Sequence, residues 1–275
     1  MCDLDGTLLR SDGTLSAFAR DGLNRLIAAG LPTTIASGRS LQAMRALGAG
    51  VALELPVIGL NGALISDPAT GRHLEVRALE RSTARTTVDE LSAVGASPTL
   101  TTWDGTQDRV RYIEEMNDAS TWWIAEKRAY ADPRLQLSEH LSDVTAEEET
   151  VLITGFVPNE DASAVAARLH ERLADDAIVH AGQHIYCTGW TELQVQHRQA
   201  DKGRALSRFL ALTGLQSAEL VVCGDHLNDL GMFAIADQSV APANAHEAVR
   251  LAATVVVATN DEDGVIQWLT EQYLT

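Results

Sequence analysis

Met1-Cys2-Asp3-Leu4-Asp5-Gly6-Thr7-Leu8-Leu9 opens the chain, and its reading decides the fold. Asp3 and Asp5 are two residues apart, so in an extended segment both side chains point to one side. Gly6 supplies a turn that would hold the pair at a strand's carboxyl end. Carboxylates so placed can bind Mg²⁺, and one can attack phosphorus. Only Met1 and Cys2 precede Asp3, so almost no strand is left to carry it.

Outward from that stretch the pattern alternates. Ser16 caps an expected helix over 16–29, with Ala19, Leu23, Leu26 and Ile27 on one face and Gly30 as its stop. A short strand, Leu31 to Ala36, ends at Ser37-Gly38-Arg39, and a helix follows to about residue 48. Pro56 to Leu60 reads as a buried strand ending at Asn61-Gly62. The rhythm returns after about residue 191. Lys202 opens a helix with Leu206, Phe209 and Leu210 on one face, Leu220 to Cys223 reads as a strand ending at Gly224-Asp225, and Val255 to Val257 reads as another. Strands alternating with helices predict a mainly parallel α/β sheet.

Residues 80–190 differ in character. Helices are expected over 80–95, 117–128 and 160–174, and strands over Thr99–Trp103, Arg109–Ile113, Val151–Val157 and twice near 177–190. Thr145 to Glu149 reads as an acidic loop. The pattern predicts an α+β domain at 80–190, inserted into a core made of 1–79 and 191–275.

The chain has 275 residues, enough for two domains, and a formal net charge of -17 that argues against nucleic acid. Cys2, Cys187 and Cys223 are too few and too scattered for a disulfide framework, so a cytoplasmic setting is the default. No apolar run approaches the roughly 18 residues of a membrane span. No basic and apolar leader pattern opens the chain.

Four polar sets follow four expected strands: Asp3/Asp5, Ser37-Gly38, Lys202 after Glu192 to Gln196, and Asp225 with Asn228 and Asp229. Sites in open α/β sheets form outside the carboxyl ends of strands, so the sets can converge. Three carboxylates suit Mg²⁺, and a lysine, a hydroxyl and turn amides suit phosphoryl oxygens. Taken singly, each set has a plainer reading: an Asx turn at Asp3/Asp5, a bare turn at Ser37-Gly38 or Asn61-Gly62, a solvated Lys202. Arg39 stands open between a structural part and a substrate contact, as does Asn61. Trp103, Trp122, Trp123 and Trp190 read as core of the inserted domain, with stacking on a substrate as the alternative. His226 reads as surface or as crowding the metal rim, and Cys223 as inert core.

Asp3-Leu4-Asp5-Gly6-Thr7, Ser37-Gly38-Arg39, Asn61-Gly62-Ala63, Lys202-Gly203, Gly224-Asp225-His226-Leu227-Asn228-Asp229 and Asn260 to Val265, in this order, resemble the haloacid dehalogenase (HAD) superfamily. The branch is the Cof-type phosphatases with a C2B cap, class IIB. The resemblance implies a Rossmann-like core with an inserted cap that sets specificity. It implies Asp3 as nucleophile, Asp5 as general acid/base, and Mg²⁺ held by Asp3, the Asp5 carbonyl and Asp225. Ser37, Gly38, Lys202 and Asn228 would bind phosphate, and Asp229 would orient Lys202 or a ligand water. The implied reaction is hydrolysis of a small phosphorylated metabolite, such as a sugar phosphate; the oligomeric state is not legible in the sequence, and a monomer or weak dimer is taken as the expectation. The alternatives are a phosphotransferase or phosphomutase, or a metabolite-binding regulatory module without turnover. Family members carry several apolar residues before the nucleophile. A start set inside the strand is therefore expected here, rather than a natural loss of it.

Overall fold

The computed structural model describes every residue except Tyr130, His184 to Tyr186 and Thr275. The chain forms two compact units: Met1–Val76 with Ala200–Thr275, and Arg77–Gln199.

In the first unit, parallel strands Val221–Cys223, Gln238–Pro242 and Val255–Val257 pair in that order. Single-residue bridges continue the ladder: Cys223 to Cys2, Cys2 to Ile35, and Ala36 to Ile58, all parallel. Val57–Gly59 then pairs antiparallel with Leu64–Ser66, and that strand with His73–Val76. The segment before Asp3 thus contributes a single paired residue between two neighbours. Cys2 N–H donates to the Thr34 carbonyl at 3.0 Å and Asp3 N–H to the Cys223 carbonyl at 2.9 Å. Beside Met1 lies an apolar cavity of about 290 Å³, lined among others by Leu26, Leu31, Leu206, Leu220 and Tyr273.

The helix Ala17–Ala28 starts where Ser16 Oγ accepts the Ala19 N–H and buries Ala19, Gly22, Leu23 and Leu26. It packs its apolar face against Val265, Ile266 and Leu269 of the helix Gly264–Tyr273. Lys202–Thr213 buries Leu206 and Phe209 in a second cluster with Ile58, Val222 and Met232. Apolar residues at helical spacing decide both packings.

The second unit holds a six-stranded sheet in the order Leu135–Leu137, Asp108–Tyr112, Thr99–Trp103, Glu149–Pro158, Trp190–His197, Ala177–Gln183. All pairings are antiparallel except that of Asp108–Tyr112 with Leu135–Leu137. Helices Arg81–Ala93, Leu141–Glu147 and Ala162–Leu173 bury Leu91, Val144, Val165 and Leu169 in one core with Leu100, Ile153 and Val195 of the sheet. The four tryptophans are all part-exposed, and Lys127 Nζ sits 3.8 Å from the Trp123 ring centre.

Two expectations are corrected here. Glu192 to Gln196 is not a core strand ahead of Lys202. Trp190–His197 pairs with Glu149–Pro158 and Ala177–Gln183, so the unit boundaries fall at 76/77 and 199/200 rather than at 79/80 and 190/191. Alternation of Thr191, Leu193 and Val195 marks a half-buried strand but not which sheet it joins. Thr145 to Glu149 is not a loop either. Leu141–Glu147 is helical, and Glu148 turns its carboxylate onto Arg109, Arg111 and Thr102, which removes the charge repulsion of the acidic run. Part of the span expected as strand near 177–190 lies outside the described residues.

Candidate active site

Asp3 follows the Cys2 bridge and is 4% exposed. The chain then reverses. The Leu4 carbonyl accepts N–H groups from Thr7, Leu8 and Leu9 at 3.2, 2.9 and 2.8 Å, and Gly6 adopts φ +73°. A Cβ at Gly6 would stand 2.3 Å from Asp225 Oδ2, so the loop passes Asp225 at a distance only glycine allows.

Lys202, at the start of its helix, is 1% exposed. Its Nζ donates to Asp3 Oδ1 and to Asp229 Oδ1, each at 2.7 Å. Asp229 is fixed from its other side, its Oδ2 accepting the N–H groups of Asp225 and His226 at 3.0 Å. Thr7 Oγ1 donates to Asp225 Oδ1 at 3.0 Å. Residues distant in sequence therefore meet through direct contacts at strand ends, because strands ending at Asp3 and Gly224 are neighbours.

Electrostatics follow from burial. Asp3 is held well above the ordinary carboxylate range, chiefly by burial and then by Asp229 and Asp225, against the opposing pull of Lys202. Asp225 is raised by burial and by Asp229. Burial pushes Lys202 down, but Asp3 and Asp229 together outweigh it and keep the ammonium charged.

Ser37 and Gly38 lie at the end of the next parallel segment. Ser37 is fully buried, its N–H donates to the Ile58 carbonyl at 2.9 Å, and its Oγ accepts the Arg39 N–H at 3.1 Å. Arg39 reaches Asp5: Nε donates to both carboxylate oxygens at 3.0 and 2.8 Å, and Nη2 to Oδ1 at 2.6 Å. Asn61, at φ +53°, stands beside Gly38 and accepts Asn228 Nδ2 at 3.0 Å. Among the described residues Asn228 Oδ1 is buried without a hydrogen-bond partner, an orphaned acceptor. His226 is exposed and meets His246 edge to face at 6.4 Å.

The expected residues thus form three contiguous groups: Asp3 with Lys202, Asp225 and Asp229; Ser37-Gly38 with Asn61 and Asn228; and Arg39 with Asp5. Sequence reasoning read Asn260 only as part of a family-like stretch and assigned no role to it or to Asn244. Asn244 Nδ2 donates to the Gly6 carbonyl and Asn260 Nδ2 to the Leu9 carbonyl, both at 2.8 Å. Neither contact has a spacing signal, since each joins loops from opposite ends of the chain.

The donor set fits a hard divalent cation. Carboxylate oxygens of Asp3, Asp225 and Asp229 lie within 4.8 Å of one another around one ammonium. Both Asp229 oxygens are already bonded, whereas Oδ2 of Asp3 and Oδ2 of Asp225 take no hydrogen bond among the described residues. Excess negative charge with oxygen-only donors favours such an ion.

Comparison with known proteins places the whole chain in a family. The family model of haloacid dehalogenase-like hydrolases matches residues 1–269. The 5-amino-6-(5-phospho-D-ribitylamino)uracil phosphatase YwtE of Bacillus subtilis is 26% identical over 97% of this chain and 95% of its own. The pyridoxal phosphate phosphatase YbhA of Escherichia coli is 25% identical over 97% and 95%. The crystal structure of TM0651 from Thermotoga maritima superposes with a TM-score of 0.79 at 24% identity, covering 100% of this chain and 96% of that one. The subclass IIB sugar phosphatase BT4131 superposes with a TM-score of 0.74 at 18% identity, covering 100% and 98%. With a match running almost end to end, this chain belongs to the haloacid dehalogenase-like hydrolases, in their Cof-type, subclass IIB branch, and is a phosphatase.

Proposed function

We propose that the chain hydrolyses small phosphorylated metabolites through an aspartyl-phosphate on Asp3. The observation that carries this is the buried Lys202 ammonium, bonded at 2.7 Å to Asp3 and to Asp229 beside Asp225. Asp3 Oδ2 attacks phosphorus, forming an O–P bond as the bond to the alcohol oxygen breaks. Asp5 gives that oxygen its proton. Asp5 then takes a proton from water, which attacks phosphorus and frees Asp3. For Asp5 to reach the leaving oxygen, Arg39 must release at least one of the two carboxylate oxygens it holds. Ser37 Oγ, the Gly38 amide, Asn228 and Lys202 hold phosphoryl oxygens.

Mg²⁺ is the cation that Asp3, the Asp5 carbonyl and Asp225 would hold, and when bound it neutralises charge on the phosphoryl group. Asp229 fixes Lys202 and the Asp225 loop from behind. Substrate selection is assigned to the 77–199 unit on the family resemblance. The phosphatases named above act on a ribityl phosphate, on pyridoxal phosphate and on sugar phosphates, all small phosphate monoesters, and that class is the one proposed here.

The test is hydrolysis of a chromogenic phosphate monoester, then of a panel of phosphorylated sugars and cofactors, with and without Mg²⁺. Phosphate release that requires Mg²⁺ and disappears in Asp3→Asn is expected. Undiminished turnover by purified Asp3→Asn would refute the assignment.

A further inference from the structure

The segment Pro242 to His246 touches both loops of the cation site. Asn244 Nδ2 donates to the Gly6 carbonyl at 2.8 Å, and the His246 N–H donates to the Asp225 carbonyl at 2.9 Å. Asn244 is itself held, its Oδ1 accepting the Asn260 N–H at 2.9 Å. Asn260, 3% exposed, sends its own Nδ2 to the Leu9 carbonyl. Two asparagines therefore grip the turn after Asp5 at its near and far ends. Further along the same loop, Ser11 is held by Asp261, its N–H at 2.8 Å and its Oγ at 2.7 Å.

We propose that Asn244 is a positioning residue of the cation site. It touches neither substrate nor ion. It acts through Gly6, holding the Gly6–Thr7 peptide, one removed from the Asp5 carbonyl, beside Asp225, and this inference rests on the Mg²⁺ reading above. The near approach leaves little slack. The Gly6 backbone lies so close to Asp225 that a Cβ would stand 2.3 Å from Oδ2, and Gly6 sits at a φ of +73°. With Asn244 in place, the Gly6 backbone beside the Asp225 carboxylate is restrained, and with it the adjoining Asp5 carbonyl. Mg²⁺ demands near-ideal octahedral geometry, so a carbonyl free to drift binds it less well. Groups that orient metal ligands from outside are worth about 10–100-fold in metal affinity.

The experiment is a calorimetric titration of Mg²⁺ into metal-free protein without substrate, comparing wild type, Asn244→Ala and Asp261→Ala. Asn244 is exposed, so its truncation opens no buried void. In Asn244→Ala the Mg²⁺ dissociation constant is expected to rise about 10–100-fold. Asp261→Ala frees the outer part of the loop and should lower the melting temperature with an unchanged Mg²⁺ constant. Equal Mg²⁺ affinity in wild type and Asn244→Ala would overturn the inference, as would equal weakening in the two variants, which would mark general loosening. Absence of Mg²⁺ uptake by wild type would instead overturn the cation-site reading, and this inference with it.

Discussion

Lys202→Met removes the buried ammonium between Asp3 and Asp229 at nearly constant side-chain volume. Lys202 is 1% exposed and bonds Asp3 and Asp229 at 2.7 Å each, with Asp225 alongside. Deleting one partner of a buried ion pair costs about 3–5 kcal/mol, because the remaining charge has neither water nor a counter-ion. Two carboxylates lose their partner here, but Asp3 is already raised by burial and can escape the penalty by taking a proton. Its folded-state pKa stands above the ordinary value, so protonation favours the folded protein and stability returns as pH falls through that raised value. Each extra proton bound by the folded variant adds about 1.4 kcal/mol per pH unit lowered. For a unit of about 150 residues, 1 kcal/mol shifts the melting temperature by roughly 2–4 °C. The expected loss is therefore about 6–20 °C at pH 8, with a smaller loss at pH 5.5. Calorimetric melting in the presence of a chelator measures both. A drop under about 2 °C, or one of the same size at both pH values, would refute the claim that the ammonium offsets buried carboxylate charge.

Three further outcomes follow from the same geometry. Gly6→Ala forces a Cβ into Asp225 Oδ2 at an unfavourable φ, so it should cost about 1–2 kcal/mol in backbone strain and remove Mg²⁺ binding, read by melting and titration. Mg²⁺ should raise the melting temperature more at pH 8 than at pH 5.5. The raised Asp3 and Asp225 carboxyls repel one another when ionised and are relieved by protons at the lower pH; an equal rise at both would contradict this. Phe156→Ala, in the sheet of the 77–199 unit and fully buried, should cost about 3–5 kcal/mol, and circular dichroism melting would show it.

Much of this site was legible because its chemistry is carried by short motifs at strand ends. Asp3, Ser37, Lys202 and Asp225 each follow or open an element whose apolar pattern is plain, and parallel topology brings such ends together. The helix capped by Ser16 was legible from spacing and cap chemistry alone. Membership of a sheet was less so. Trp190–His197 shows a period of two, but period does not say which neighbour a strand pairs with, and the reading joined it to the wrong unit. The grip of Arg39 on Asp5 and of Asn244 on Gly6 was not legible at all. Polar contacts between loops leave no periodic trace, and arginine or asparagine in a loop reads equally well as solvated.

The bridge at Cys2 has a consequence for the order in which the molecule can assemble. Its partners are Ile35 and Cys223, and Lys202 reaches Asp3 across 199 positions of chain. During synthesis, Asp3 waits for its lysine until the entire 77–199 unit has been made. That unit has all its sheet partners within its own span and can close first. Contacts of such sequence separation form late and slowly. Until then the Asp3 segment has only its near-sequence partner strand, so the nascent chain is complete in its insert before it has an active site.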